Sequence, residues 1–357
     1  MHALLVELFP WLVALWALDG LVQLGRGHLL LVRGGAGSFR VRRAGLHVVG
    51  LSPLDEAVAV HDLPFLVSPA RVFLFEPGRR SDPALVADVD LEAVARTELA
   101  PVTREGRKVR AARRVALVAP TAEWATRLGD ELAALAAGGD PAPDRLDVEA
   151  ARALRGRQRR YLPALRAASA LLFATAFVAW PAAAYAPAAA PLSPEVVLAT
   201  AGGLTLAVAA LTWAMLAACG EGAGRSAAAA LHLVAFPVAA LRPLVHGPRS
   251  LYRRFDALAV AAALLPSDRF GELAARELRR ARLSRGATQP ELAAFWDRRA
   301  GELRGLLAAV GVAEADALAP PPRAPGAAAW CPLCGGQYRA GFERCEDCGV
   351  PAEPFAP

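Results

Sequence analysis

The sequence predicts a multi-domain integral membrane protein. Its expected parts are an N-terminal anchor helix, a cytoplasmic α+β domain, a transmembrane helical hairpin, a cytoplasmic αα-hairpin and a small metal-binding tail. Three observations lead there. Residues 167–185 and 196–218 carry no charge and are almost wholly apolar, and each approaches the roughly 20 residues that cross the hydrocarbon core of a bilayer. Arginines crowd both outer flanks of that pair and none lies between its members. Four of the five cysteines fall within residues 331–348. Apolar residues make up 55% of the chain and its mean hydropathy is +0.32. Because they gather in blocks, they point to spans rather than to one large soluble core.

The anchor covers residues 3–24 and is interrupted by Glu7, Pro10 and Asp19. A cleavable leader has a positive start and a small-residue cleavage site. Here only Met1 and His2 precede the apolar run, and Arg26, Arg33, Arg40, Arg42 and Arg43 follow it. That order predicts an uncleaved span with its N-terminus outside; a buried or interfacial helix is the alternative. A carboxylate inside a membrane marks a functional site by default. Glu7 and Asp19 sit near the two ends of the span, however, where they are expected to reach interfacial water.

Residues 25–140 read as several short strands followed by one helix. Alternating apolar residues mark strands near 57–61, 71–75, 84–89 and 115–119, with an extended run over 46–51. Thr121 is the expected N-cap of a helix whose face is Trp124, Leu128, Leu132 and Leu135, ending at Gly138 and Gly139. Over 28–137 this order resembles bacterial pleckstrin-homology-like domains, which implies a small β-barrel plugged by its last helix. A split barrel or another α+β fold fits the same order. Arg107, Lys108, Arg110, Arg113 and Arg114 form a basic stretch, and Lys108 is the only lysine in the chain. It can meet anionic lipid headgroups, each contact contributing about 1 kcal/mol near a charged surface, or it can be a solvated strand face. His61 and Asp62 are neighbours, and neighbours on a strand face opposite ways, so they make no catalytic pair.

Residues 141–166 are a basic linker carrying Arg152, Arg155, Arg157, Arg159 and Arg160. The spans 167–185 and 196–218 follow, joined by an external loop, 186–195, that holds Pro187, Pro191 and Pro194. Arg225, Arg249, Arg253 and Arg254 lie beyond. Loops rich in arginine stay cytoplasmic, so the hairpin is expected to have both ends inside and its tip outside. Trp180 and Tyr185 then fall at the outer interface and Trp213 toward the inner one. Ala199, Gly203 and Ala207 make a small-residue stripe suited to packing inside the hairpin. The stretch 226–265 is apolar but holds His232, Pro237, Arg242 and Pro243. Making it a fourth span would export the arginine-rich tail, so interfacial or re-entrant helices are expected.

Residues 267–312 read as a helical hairpin. Phe270, Leu273, Ala274 and Leu278 line one helix. Thr288 with Glu291 caps a second, whose stripe is Leu292, Phe295, Trp296, Leu303, Leu306, Leu307 and Val310, with Gly311 at its end. Residues 313–329 form a Pro/Ala linker, stiff over its prolines.

The tail carries Cys331-Pro-Leu-Cys334-Gly, a ten-residue gap, then Cys345-Glu-Asp-Cys348-Gly. Two C-x2-C pairs supply four thiolates, the number a tetrahedral ion takes. The glycine closing each pair suits a tight turn whose N–H groups face the sulfurs. Over 330–350 this resembles the zinc-ribbon family. The resemblance implies one structural zinc ion on Cys331, Cys334, Cys345 and Cys348; iron in a rubredoxin-like site is the alternative. Clustered thiols argue for a metal in a reducing compartment rather than a disulfide framework.

The six histidines are scattered, with no visible nucleophile–base pair or open metal site, and no ionisable or strongly polar residue lines a path through the hairpin. An enzyme and a transporter are therefore disfavoured. The expectation is an adaptor of a bacterial inner membrane, with the bulk of the chain and its C-terminus cytoplasmic. Its partners would be the bilayer and cytoplasmic-face proteins. A membrane-tethered regulator whose ribbon touches nucleic acid, and an enzyme acting on a lipid or exported substrate, are the alternatives. Arg339 and Arg344 are offset by Glu343, Glu346 and Asp347, which weighs against nucleic acid.

Overall fold

The computed structural model describes residues 2–25, 28–33, 36–38, 56–60, 65–67, 71–75, 91–111, 115–118, 122–139, 146–186, 188, 192–249, 251–252, 255–287 and 290–356. In chain order the elements are α1 (His2–Gly25), β1 (His28–Arg33), β2 (Ala36–Ser38), β3 (Glu56–Val60), β4 (Phe65–Val67), β5 (Arg71–Phe75), β6 (Leu91–Ala95), β7 (Thr103–Glu105), β8 (Lys108–Ala111), β9 (Val115–Val118) and α2 (Ala122–Ala136). Helices follow: α3 (Val148–Arg159), α4 (Leu162–Ala174), α5 (Trp180–Tyr185), α6 (Pro194–Ala218), α7 (Ala223–Ala235), α8 (Pro237–Ala240), α9 (Pro243–His246), α10 (Ala257–Leu264), α11 (Ser267–Ala287), α12 (Pro290–Ala309) and α13 (Glu314–Leu318). The tail adds β10 (Ala329–Trp330), β11 (Gln337–Tyr338) and β12 (Glu353–Pro354). The chain divides into two compact units, one of Met1–His61 with Glu149–Leu265, the other of Asp62–Val148 with Pro266–Pro357.

The first unit holds three helical stretches long and apolar enough to cross a bilayer: His2–Gly20, Leu162–Tyr185 and Pro194–Ala218. They suggest a membrane protein. α1 runs antiparallel to α4 and α5. Trp180 donates its indole N–H to the Leu5 carbonyl at 3.0 Å and the Tyr185 hydroxyl lies 3.4 Å from the Val6 carbonyl, whereas Trp16 meets Phe173 and Phe177 further along. The start of α1 and the loop after α5 therefore share one end of the bundle. Between α4 and α5, Thr175–Ala179 forms a π-helical turn. Pro181 has no N–H and its ring crowds the carbonyl four residues back, at Phe177; the wider turn lets the helix continue past it. Ser193 caps α6 by accepting from the Val196 N–H at 3.4 Å.

α6 packs through Val197, Thr205, Val208, Ala209, Thr212 and Met215. Ala199, Gly203 and Ala207 are exposed, so the small-residue stripe faces away from the hairpin contact it was expected to make. Val197, Val208 and Met215 fill the contact side instead, and Leu206 and Trp213 share the exposed side with the stripe.

The stretch after α6 is broken by Pro237 and Pro243 into α7, α8 and α9, none of them long enough to span. Ser169 Oγ donates to the Leu241 carbonyl at 3.1 Å. Gly247 sits where an added Cβ would lie 3.2 Å from both Thr212 and Met215 side chains. Ser169 is about 10 Å along α4 from its start at 1.5 Å per residue. The broken segment thus lies alongside the bundle, not beneath its end. α10 follows, capped by Asp256, whose Oδ1 accepts from the Leu258 N–H at 2.8 Å.

In the second unit the strands form separate open antiparallel sheets of three, ordered β4-β5-β6, β7-β8-β9 and β11-β10-β12; a further sheet, β2-β1-β3, belongs to the first unit. No closed barrel exists among the described residues, which corrects the barrel expected over 28–137. The described strands of this region pair instead into three separate sheets, β2-β1-β3, β4-β5-β6 and β7-β8-β9, with no pairing between one sheet and the next among the described residues. The predicted strands near 46–51 and 84–89, and the Thr121 cap, lie outside the described residues. α2 covers the last of these sheets in the region before residue 148: Val109 and Ala111 of β8 are buried, as are Leu128, Leu132 and Leu135 of α2, and Val109 Cγ1 lies beside Gly129.

α11 and α12 make the expected helical hairpin, burying Phe270, Leu273, Ala274 and Leu278 from one helix and Trp296, Leu303, Leu306 and Leu307 from the other. The cap at Thr288 lies outside the described residues. Residues 313–329 are hydrogen-bonded along their length. Ala324 N donates to Gln337 Oε1 at 2.7 Å, and Gln337 Nε2 donates to the Pro322 carbonyl at 2.8 Å.

Candidate metal centre and a buried charge cluster

The tail brings its four cysteines together. The Sγ atoms of Cys331, Cys334, Cys345 and Cys348 all lie within 4.8 Å of one another, and Cys334 and Cys345 are 3.7 Å apart. A tetrahedral ion with metal–sulfur bonds of about 2.3 Å sets its sulfurs roughly 3.8 Å apart. The donor set and spacing fit one metal ion.

Local chain geometry explains the arrangement. Each C-x2-C pair closes a tight turn: Gly335 N donates to the Cys331 carbonyl at 2.9 Å, and Gly349 N to the Cys345 carbonyl at 2.8 Å. Both glycines adopt positive φ, 74° and 67°, a conformation that costs other residues a steric clash. The turns aim amide N–H groups at the sulfurs. Leu333 and Cys334 point theirs at Cys331 Sγ at 3.4 Å, and Cys348 points its own at Cys345 Sγ at 3.3 Å. Backbone bonds from Cys331 N to the Gly336 carbonyl and from Cys345 N to the Val350 carbonyl, 2.7 and 2.9 Å, tie off the two turns.

Electrostatics point the same way. Burial pushes the Cys331 thiol up to about 11. Burial also raises Cys348, and the neighbouring Cys331 and Cys334 raise it further. Burial would lift Cys345 too, but the Tyr338 hydroxyl, donating at 3.0 Å, and the Cys348 amide outweigh it and bring that thiol to about 6. The Cys345 thiolate forms easily, and Cys331 and Cys348 resist following it. A divalent cation among the sulfurs removes that resistance.

The aromatic residues divide between two tasks. Tyr338 packs on the cysteines. Trp330 is buried between the Arg279 guanidinium, 4.6 Å from its ring centre, and Phe355. Phe342 is exposed, with its ring 5.6 Å from that of Tyr338.

A second cluster lies in the first unit and was not anticipated. Asp19 is 7% exposed and Arg242 1%. Arg242 Nη1 donates to Asp19 Oδ2 at 2.7 Å, its Nη2 donates to the Trp16 carbonyl at 2.7 Å, and its guanidinium lies 4.6 Å from the centre of the Trp16 ring. His246 Nε2 approaches the same carboxylate oxygen at 3.2 Å, and the His232 ring lies 5.6 Å from that of His246. The expectation that Asp19 reaches interfacial water is therefore corrected. The broken segment places Arg242 on α1, and each charge neutralises the other. Glu7 is exposed on α1.

Other flagged residues stay apart. Lys108 and Arg110 of β8 are exposed opposite the buried Val109 and Ala111, and Arg107 is exposed in the adjoining turn. Arg113, Arg114, His61 and Asp62 lie outside the described residues. Compared with protein families, curated proteins and solved structures, the chain has no significant match in any of the three.

Proposed function

We propose that the chain is a non-enzymatic adaptor anchored in a bacterial inner membrane, whose polar segments and zinc-loaded tail hold protein partners at the cytoplasmic face. The observation that carries this reading is the closed four-thiolate centre. Its four donors complete a tetrahedral shell and leave no position for a substrate or water, so the ion serves to fold a small sheet rather than to do chemistry. Four thiols also favour zinc, with iron as the runner-up. Two features support the topology: arginines flank the hairpin on its outer sides, and the start of α1 shares an end of the bundle with the Pro-rich loop. The exposed Arg157, Arg159 and Arg160 lie just before α4, where that topology brings them to anionic headgroups.

Affinity purification from membranes tests the reading on two forms, the full chain and one lacking residues 330–357. A specific protein in near-stoichiometric yield with the full chain, and lost from the shorter one, is the expected result. Nucleic acid released steeply by salt would replace the adaptor by the nucleic-acid regulator, and turnover of a lipid by the purified chain would replace it by an enzyme.

A further inference from the structure

The cysteine module is not a free-swinging tail, and the contacts that hold it run back into α11. One turn apart on that helix, Arg279 and Leu283 both face it. The Arg279 guanidinium covers the Trp330 ring and donates to the Ala319 carbonyl at 2.9 Å. Leu283 packs on the cluster formed by Cys331, Cys345 and Val350. α13 is pinned from the same side, since Glu314 accepts from Arg282 of α11 at 3.1 Å and from Arg304 of α12 at 3.0 Å. The stretch between α13 and β10 is fastened to the sheet in turn. Arg323 Nε donates to the Ala327 carbonyl at 2.7 Å with its guanidinium 5.6 Å from the Phe355 ring, and Phe355 N donates to the Ala328 carbonyl at 3.1 Å.

The sheet cannot sustain those contacts unaided. Its strands are two residues each, and its buried cluster is two cysteines and one valine. So small a core supplies little folding free energy, and bound metal supplies most of it. Remove the ion and the buried sulfurs face one another with no cation between them. Trp330 directly precedes Cys331 in the chain, so loosening the first knuckle frees the ring from Arg279 and uncovers Leu283.

We propose that a thiophilic divalent ion at Cys331, Cys334, Cys345 and Cys348 acts as a latch on the helical hairpin: its occupancy decides whether the end of α11, α13 and the 319–328 segment stay assembled with the tail. The latch rests on the metal-bound reading of the cysteines and adds regulation to it. A partner surface built from tail and helices exists only while the site is loaded.

Hydrogen exchange on the full-length protein in detergent, zinc-loaded against chelator-treated under reducing conditions, tests this. On metal removal, amides of residues 276–287 and 314–319 should exchange ~tenfold faster or more together with those of 329–355, as one cooperative unit, while α4–α6 stay unchanged. R279Q gives a second arm. It should retain one metal per chain, read as cobalt(II)–thiolate absorption, yet show faster exchange in α11 with the tail still protected. Metal removal that loosens only the tail, with α11 and α13 unmoved, overturns the latch and leaves the metal centre standing. A chain that takes up no metal overturns both.

Discussion

Asp19 and Arg242 show what pairing does for single residues in an apolar setting. A lone charge there is costly, and removing one partner of a buried pair costs about 3–5 kcal/mol, whereas replacing both by apolar groups of similar size is often neutral. D19N and R242M should each lower thermal stability in detergent, and the D19L/R242M double variant should be more stable than either. Additive losses in the double variant would show that the two act independently. Gly349 makes a separate case. Its φ of 67° and the open space around its Cβ position mean that G349V strains backbone without clashing, at about 1–2 kcal/mol. Chelator competition should therefore find weaker metal affinity in G349V, and unchanged affinity would show that the turn does not depend on glycine. These two sites also mark the limit of what the sequence discloses. The cysteines were legible because their spacing is local and the ligand chemistry fixes residue type. The Asp19–Arg242 pair was not, because its members are 223 positions apart and an arginine beyond a span reads equally well as a flanking charge.

At the scale of elements, periodicity was the dependable guide. The apolar stripe over 128–135 became a buried helix face, and α11 with α12 formed where the 3.6-residue pattern placed them. Strand pairing was harder to read. Alternation marked β5 and β9 but said nothing of which edges would join, and the open sheets are a matter of pairing, not propensity. The π turn over Thr175–Ala179 was not read from the sequence, although Pro181 is a local signal for it. β8 and α2 allow a sharp test. L132A removes a fully buried side chain and should destabilise its unit by about 2–5 kcal/mol. K108A/R110A, on the exposed side of β8, should change stability by less than about 0.5 kcal/mol. A large loss in the second variant, measured by denaturant unfolding, would mean that the basic face is packed rather than solvated.

For the whole molecule, composition spoke first: long uncharged stretches flanked by arginine, and thiols gathered at one end. In the proposed topology these belong together, because the hairpin that returns the chain to the cytoplasmic side also keeps the cysteines reduced and able to hold metal. The broken segment with Arg242 then becomes a re-entrant element held at depth by Asp19, and the arginine of a failed fourth span becomes part of the bundle. The direct test is accessibility in intact cells. A cysteine placed in the loop by A188C should react with a membrane-impermeant maleimide above the level of the unsubstituted chain, while a tag after Pro357 stays protected from external protease until the membrane is opened. Labelling of A188C only after permeabilisation, or digestion of the tag from outside, would contradict the account.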